Sequence, residues 1–244
     1  MTLDQYISAG ASLGAFLAAG ATLLTVWQMA KQRVATYRPE IVVLRAPVVT
    51  IADESDKTLR PLLGWCRSIE DSESNVKLLH RDYRLLLVNI GMGSATRVLV
   101  EWEFPMERFV GYIRMSANSR NQPIEIELHN GAVSVESIGF TSIWENQRQD
   151  NFDYILPAEV DKDPIKIRLP SAYILAVSAC MNVYLREIGT GTSARPLPEV
   201  PALRMSLHYD DISGKRHKNT YDIEFEWYGA SRYEFEGALV PKRV

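Results

Sequence analysis

Residues 83–104 read YRLLLVNIGMGSATRVLVEWEF, and this stretch decides the fold class. Two runs rich in Leu, Val and aromatic residues, 83–89 and 95–104, flank a turn at 90–94 that carries Gly91 and Gly93. The pattern predicts two antiparallel strands. Further along, 124–128 and 133–138 flank Asn130-Gly131, the residue pair best suited to a two-residue hairpin turn. Residues 152–156 and 165–169 read as short strands separated by a charged turn with Asp161, Lys162 and Asp163. Residues 203–209 and 220–228 alternate apolar and polar side chains around Asp211-Ile212-Ser213-Gly214-Lys215, which predicts a last hairpin. Toward the N-terminus, 40–50 is rich in β-branched residues and reads as a first strand.

Between these strands lie a polar excursion over 52–81 and one helical stretch. The stretch 172–188 has no Gly or Pro, follows Pro170-Ser171, and places Ile174, Leu175, Val177, Val183 and Leu185 along it. Gly189 and Gly191 end it, and a linker with Pro196, Pro198 and Pro201 comes next. Residues 38–244 are therefore expected to form a mainly β domain, a sandwich of two antiparallel sheets with one inserted helix capping an edge or end.

Ahead of that domain, no residue from Gln5 to Ala30 is charged, while Lys31 and Arg33 close the run. Roughly 20 apolar residues in a helix cross the hydrocarbon layer of a bilayer. Tyr6 and Trp27 are the large amphipathic aromatics of the stretch, separated by ~31 Å of helix, about one hydrocarbon thickness. Residues 1–33 therefore read as a transmembrane helix with a basic collar. Two rivals stand beside this reading. Ala19-Gly20-Ala21 imitates a signal-peptide cleavage site, but the start, Met-Thr-Leu-Asp-Gln, has no basic segment and the apolar run continues past it. The other rival is a core helix of a soluble protein. Lys31, Arg33 and Arg38 come after the helix and only Asp4 precedes it, so the bias of positive charge predicts an inner-membrane protein with its N-terminus outside and its domain in the cytoplasm.

The helix is rich in Ala and Gly. Gly10, Gly14, Ala18 and Thr22 recur every fourth residue and form a smooth stripe on which another helix can approach closely. Helix association and a plain anchor both fit. The hydroxyls of Ser8, Ser12, Thr22 and Thr25 either reach across such an interface or bond back to their own helix.

A membrane helix, then Arg38-Pro39-Glu40-Ile41, then Val88-Asn89-Ile90-Gly91-Met92-Gly93-Ser94-Ala95-Thr96 leading into a strand, and a closing hairpin from Tyr209 through Lys215 together resemble small bacterial single-pass membrane proteins with an immunoglobulin-like β-sandwich. The resemblance implies that fold and names no activity.

Chemistry-bearing motifs do not complete. His80-Arg81-Asp82 imitates a kinase catalytic loop, but Leu87 stands where that loop needs a metal-binding Asn. Gly91-Met92-Gly93 lacks the third glycine of a dinucleotide fingerprint, and Ser213-Gly214-Lys215 lacks the upstream glycine of a phosphate loop. His80, His129, His208 and His217 fall at no metal-ligand spacing, and Cys66 and Cys180 form no paired motif. No catalytic, cofactor-binding or metal residue is predicted.

A net charge of -3 and a pI of about 5.9 supply no global field for nucleic acid, and no nucleic-acid or small-molecule ligand is expected. Lys215, Arg216 and Lys218, with His217, form the densest basic cluster, placed at a hairpin tip where a solvated turn is the favoured reading and contact with anionic headgroups or nucleic-acid phosphates the alternative. The expected partners are the lipid bilayer and a protein partner or further copies of the chain. The sequence thus predicts a non-enzymatic, membrane-anchored interaction protein. The alternative is an oligomeric membrane-perturbing effector, as in antiphage defence, with the helix as its active element.

Overall fold

The computed structural model describes residues 3–51, 65, 83–121, 124–136, 140–145, 149–188, 198–230 and 234–244. The chain opens with helix α1, Leu3–Thr36, which contains no proline. Within it, Gly10–Arg33 spans 24 residues at mean hydropathy 1.5, and none of that stretch is covered by the rest of the protein. Phe16, Leu17, Leu23, Leu24 and Val26 are exposed. A helix belonging to a soluble core is held there by burying its apolar face, so the core-helix reading is overturned.

The remainder of the chain is mostly β. Among the described residues it comprises β1 (Ile41–Val43), β2 (Ala46–Ile51), β3 (Arg84–Asn89), β4 (Ala95–Glu103), helix α2 (Met106–Ser119), β5 (Ile126–His129), β6 (Ala132–Val135), β7 (Phe140–Ile143), β8 (Gln149–Ile155), β9 (Ile165–Arg168), helix α3 (Ser171–Ile188), β10 (Leu203–Asp211), β11 (Arg216–Ala230) and β12 (Glu234–Arg243). The strands form three antiparallel sheets, in the orders β1-β3-β9, β2-β12-β11-β10-β4-β8 and β5-β6-β7. The six-stranded sheet curls into a half-barrel. Register shifts between His208 and Asp210 and between Trp227 and Gly229 add local twist, as bulges do.

Helix α3 fills the core. Every residue from Ser171 to Val183 is buried, because Ile174, Leu175, Val177, Met181 and Val183 leave it no polar face to give to water. Tyr173 meets the rings of Phe104 at 5.0 Å and Trp65 at 6.2 Å. Trp65 in turn packs on Phe225 of β11 and donates its indole N–H to Ser178 Oγ at 3.0 Å. The expectation of a helix capping an edge is corrected, since a helix apolar on all sides must be covered on all sides. Helix α2 is the second correction. Met106, Phe109, Val110, Ile113 and Ala117 form one buried stripe at helical spacing, so among the described residues the domain holds two helices where one was expected, and three sheets where two were expected.

The stretch 83–104 does form two strands, but they are not a hairpin. β3 pairs with β1 and β9, whereas β4 pairs with β10 and β8. The glycine turn between them is a corner from one sheet to another. The predicted first strand likewise breaks at Leu44 and Arg45 into β1 and β2, which lie in different sheets. The predicted last hairpin, β10–β11, forms with Asp210 opposite Arg216, but β11 continues into a further pairing with β12. Asn130-Gly131 forms the expected turn, with φ of 48° and 73° and His129 opposite Ala132. The expected strands at 152–156 and 165–169 correspond to β8 and β9. Most of the polar excursion at 52–81 and the linker through Pro196 lie outside the described residues.

Candidate functional site: the joint between helix and domain

Only Tyr37 to Glu40 separate α1 from β1, and the domain grips them. The last helical turn continues through Tyr37 N–H to Arg33 O at 2.9 Å. Asn89, at the end of β3 and 1% exposed, then uses its whole amide. Its Oδ1 accepts from Glu40 N at 3.0 Å and from Gly91 N at 3.1 Å, and its Nδ2 donates to Gly93 O at 2.7 Å and Ile155 O at 3.3 Å. Ile90 N donates to Glu40 O at 2.8 Å. A Cβ on Gly91 would overlap the backbone of Arg38 and Glu40, and one on Gly93 would overlap the Tyr37 carbonyl. The two glycines of the 83–104 stretch therefore serve close approach of two backbones.

The six-stranded sheet grips the same segment from its own side. Tyr209 Oη donates to Pro39 O at 3.5 Å and Tyr221 Oη to Ile41 O at 2.7 Å. Asn219 Nδ2 donates to Ile41 O at 3.4 Å and Tyr209 Oη at 3.2 Å. Arg243 pairs with Glu40 and donates to Asn219 Oδ1 at 2.9 Å. Burial foremost, with Glu40 adding to it, raises the Tyr209 phenol above its ordinary value. The hydrogen bond to Glu40 raises the Arg243 guanidinium further.

At the tip of β10–β11, Asp211 staples the turn. Its Oδ1 accepts from Ser213 N at 2.9 Å, Ser213 Oγ at 2.5 Å and Lys215 N at 3.0 Å, and its Oδ2 lies 2.9 Å from His217 Nε2. Burial would raise this carboxyl, but the bonds from His217, Ser213 and Lys215 outweigh it and hold the group well below the usual carboxylate range. His217 stacks on Tyr209 at 5.4 Å, so the staple runs directly into the joint. Asp210 faces the other way. It pairs with Arg97 and lies 3.8 Å from Arg216, inside a cleft of about 530 Å³ that Lys218, His208 and Glu101 also line.

The residues singled out from sequence fall in three places. Gly10, Gly14, Ala18 and Thr22 are exposed along α1, with open space over both glycines. Thr22 Oγ1 bonds back to Ala18 O, Thr25 Oγ1 to Ala21 O and Ser12 Oγ to Ser8 O, each at 2.9 Å, so these hydroxyls are satisfied within the helix. At the collar, Lys31 Nζ sits 3.7 Å over the Trp27 ring, Arg33 is exposed, and Arg38 is exposed at the joint. Tyr6 lies in the helix, with its side chain outside the described residues. Arg216 and Lys218 meet Arg97 in the cleft, while Lys215 stays on the turn.

Arg97 had no signal in the sequence. It adopts φ 52° where β4 carries one residue more than β10 between the pairs Thr96–Asp210 and Leu99–His208, and a bulge cannot be read from composition. In sequence Asn89 reads as the edge of a turn, with no sign that its side chain clamps a distant segment.

Elsewhere, a cleft of about 790 Å³ lies between the start of α2 and the β5–β6 turn, lined by Phe104, Met106, Val110, Leu128 and Trp144 with Arg114 and Glu145. Among the described residues no group of three or more His, Cys, Asp or Glu side chains is placed to hold a metal ion. Cys180 is free and buried in α3, and burial pushes its thiol up to about 12; Cys66 lies outside the described residues. Comparison of the chain with family models, curated proteins and solved structures returns no match.

Proposed function

We propose that this chain is a single-pass, membrane-anchored, non-enzymatic interaction protein. In this reading α1 spans the bilayer with its N-terminus outside, and the cytoplasmic β domain docks a protein partner or further copies of the chain. The observation that carries the reading is the uncovered 24-residue apolar helix fastened to the domain by a saturated joint. Such a helix has no stable place in water. The Trp27–Lys31 pair and exposed Arg33 and Arg38 suit the headgroup region at its C-terminal end. We further read the β1-β3-β9 and six-stranded sheets as an immunoglobulin-like sandwich opened by α3.

The test is the mass of the complex extracted from membranes in mild detergent, with Gly10→Leu/Gly14→Leu beside it. A hetero-complex unchanged by the variant supports docking through the domain, and a homo-oligomer supports self-association. A monomer without partners, or a chain recovered from the soluble fraction, overturns the proposal. The open surface over Gly10 and Gly14 favours a second reading, an oligomeric membrane-perturbing effector. There the same variant would dissolve the oligomer and abolish any toxicity on overexpression.

A further inference from the structure

We propose that the loops ringing the helix exit form a second lipid contact, in which Ile90, Met92 and Ile212 enter the interfacial layer while Arg97, Arg216 and Lys218 take lipid phosphates beside them. This inference rests on the membrane reading of α1. Position is its first support. The β3–β4 corner lies against the backbone of Tyr37 to Glu40. The β10–β11 turn lies next to that corner, because Asp211 is opposite Ala95. Both loops therefore sit where the apolar helix leaves the domain, and a bilayer around the helix would meet them first.

Exposure is the second support. Ile90, Met92 and Ile212 are 62%, 53% and 66% exposed, and Tyr37 beside them is exposed too. The backbone holding them is not slack. Asn89 clamps the first loop, while in the second Asp211 takes three hydrogen bonds on one oxygen and Gly214 N donates to Asp211 O at 2.9 Å. These apolar side chains are held outward on pre-formed loops, which lowers the ordering entropy lost on contact.

Charge is the third. The left-handed backbone of Arg97 at its bulge sets its guanidinium beside Arg216 on a single carboxylate, Asp210, leaving positive charge in excess. Lys218 lines the same cleft, with Glu101 as its other carboxylate. Lys215 on the β10–β11 turn and exposed Arg38 at the joint are further positive charges. The β8–β9 connection carries the acids Glu159, Asp161 and Asp163 and begins against the corner, where Ala158 N donates to Asn89 O at 2.8 Å. Strand order places that connection on the β8 side of β4 and the basic cleft on the β10 side. Apolar tips beside clustered Lys and Arg match an anionic membrane surface.

The test uses the full chain with Cys66→Ser in nanodiscs of phosphatidylcholine and of a phosphatidylcholine–phosphatidylglycerol mixture, containing brominated lipid. An environment-sensitive fluorophore is placed at Ile212→Cys. Phe16→Cys in α1 and Met115→Cys on α2, past the opposite end of β4, serve as controls. The expected result is quenching at 212 at least about twofold above that at 115, greater in the anionic nanodiscs, with Lys215→Glu/Lys218→Glu removing the anionic increment. Arg216→Gln, which leaves Arg97 on Asp210, should halve that increment. Quenching at 16 but not at 212 beyond that at 115 would overturn the inference and leave the anchor standing. No quenching at 16 would overturn the anchor itself. An anionic increment untouched by either charge variant would refute the role given to the cations.

Discussion

Replacing Asn89 by Ala removes four hydrogen bonds at once. Two of their ends, Gly93 O and Ile155 O, face a fully buried side chain, and two, Glu40 N and Gly91 N, are reached in part by water. An unpaired buried polar group costs ~1–3 kcal/mol, and a carbonyl that loses one of two partners sits at the low end. Taking ~1 kcal/mol for each carbonyl and ~0.5 kcal/mol for each half-wet amide gives a destabilisation of about 3 kcal/mol. For a domain of this size that is a fall in melting temperature of about 6–12 °C. The assay is thermal unfolding of the full chain in nanodiscs, monitored by tryptophan fluorescence, with exposed Asn151→Ala as a silent control. Hydrogen exchange on the same samples supplies the local readout. The amides of Glu40 and Ile90 should lose protection in the variant, while β10 and β11 keep theirs up to the global limit. A melting temperature within about 2 °C of the parent, with those two amides still protected, would refute the assignment of Asn89 as the clamp.

The same geometry fixes four further outcomes. Gly93→Ala forces a methyl into the Tyr37 carbonyl and should cost ~1–3 kcal/mol in the same melt, whereas Gly214→Ala has open space and only its φ of 81° to oppose it and should cost ~1 kcal/mol. The Asp211 carboxyl is held below its unfolded value, so its stabilisation is complete above about pH 5 and lost as pH falls below ~4; Asp211→Asn should flatten that acid limb of a stability–pH curve. Leu175→Ala, at a fully buried position of α3, should cost ~2–5 kcal/mol by denaturant titration. Cys180, buried with its thiol pushed up to about 12, should resist alkylation until denaturant is added, as mass spectrometry of the 180 peptide would show.

What the sequence made legible was local, and what it concealed was pairing. Asn130-Gly131 determines its own hairpin, because two left-handed residues in succession leave the flanking strands one way to meet. The composition of α3 announced a helix, but whether it capped or filled the domain depended on neighbours distant in sequence, such as Trp65 and Phe104 against Tyr173. Helix α2 carried a readable stripe, from Met106 to Ala117, interrupted by the helix-weakening Gly111. The 83–104 stretch misleads because a glycine turn between two apolar runs looks the same whether it reverses a strand or turns a corner. Its outcome was set by Asn89, whose partners lie 49 and 66 residues away at Glu40 and Ile155. Arg97 was equally hidden, since its position depends on one extra residue in β4.

The same non-local contacts decide how the two parts of the chain communicate. A domain on a flexible tether would carry no information about the rotation of its helix. Here the segment joining them is four residues long and is bonded at Pro39 O, Glu40 N and Glu40 O, with Ile41 O at the start of β1 bonded too, from the β3–β4 corner on one side and the β10–β11–β12 strands on the other. Since β1 and β2 continue that segment into two different sheets, turning α1 relative to the domain means breaking contacts in both. Association along the Gly10–Gly14 face would then fix the orientation of the domains it gathers, and an event that brought the domains together would set which helix faces meet. On the proposed reading, docking by the domain and association by the helix would be coupled through Asn89 and its neighbours, and that coupling would be reciprocal because it is a free energy shared by both sites.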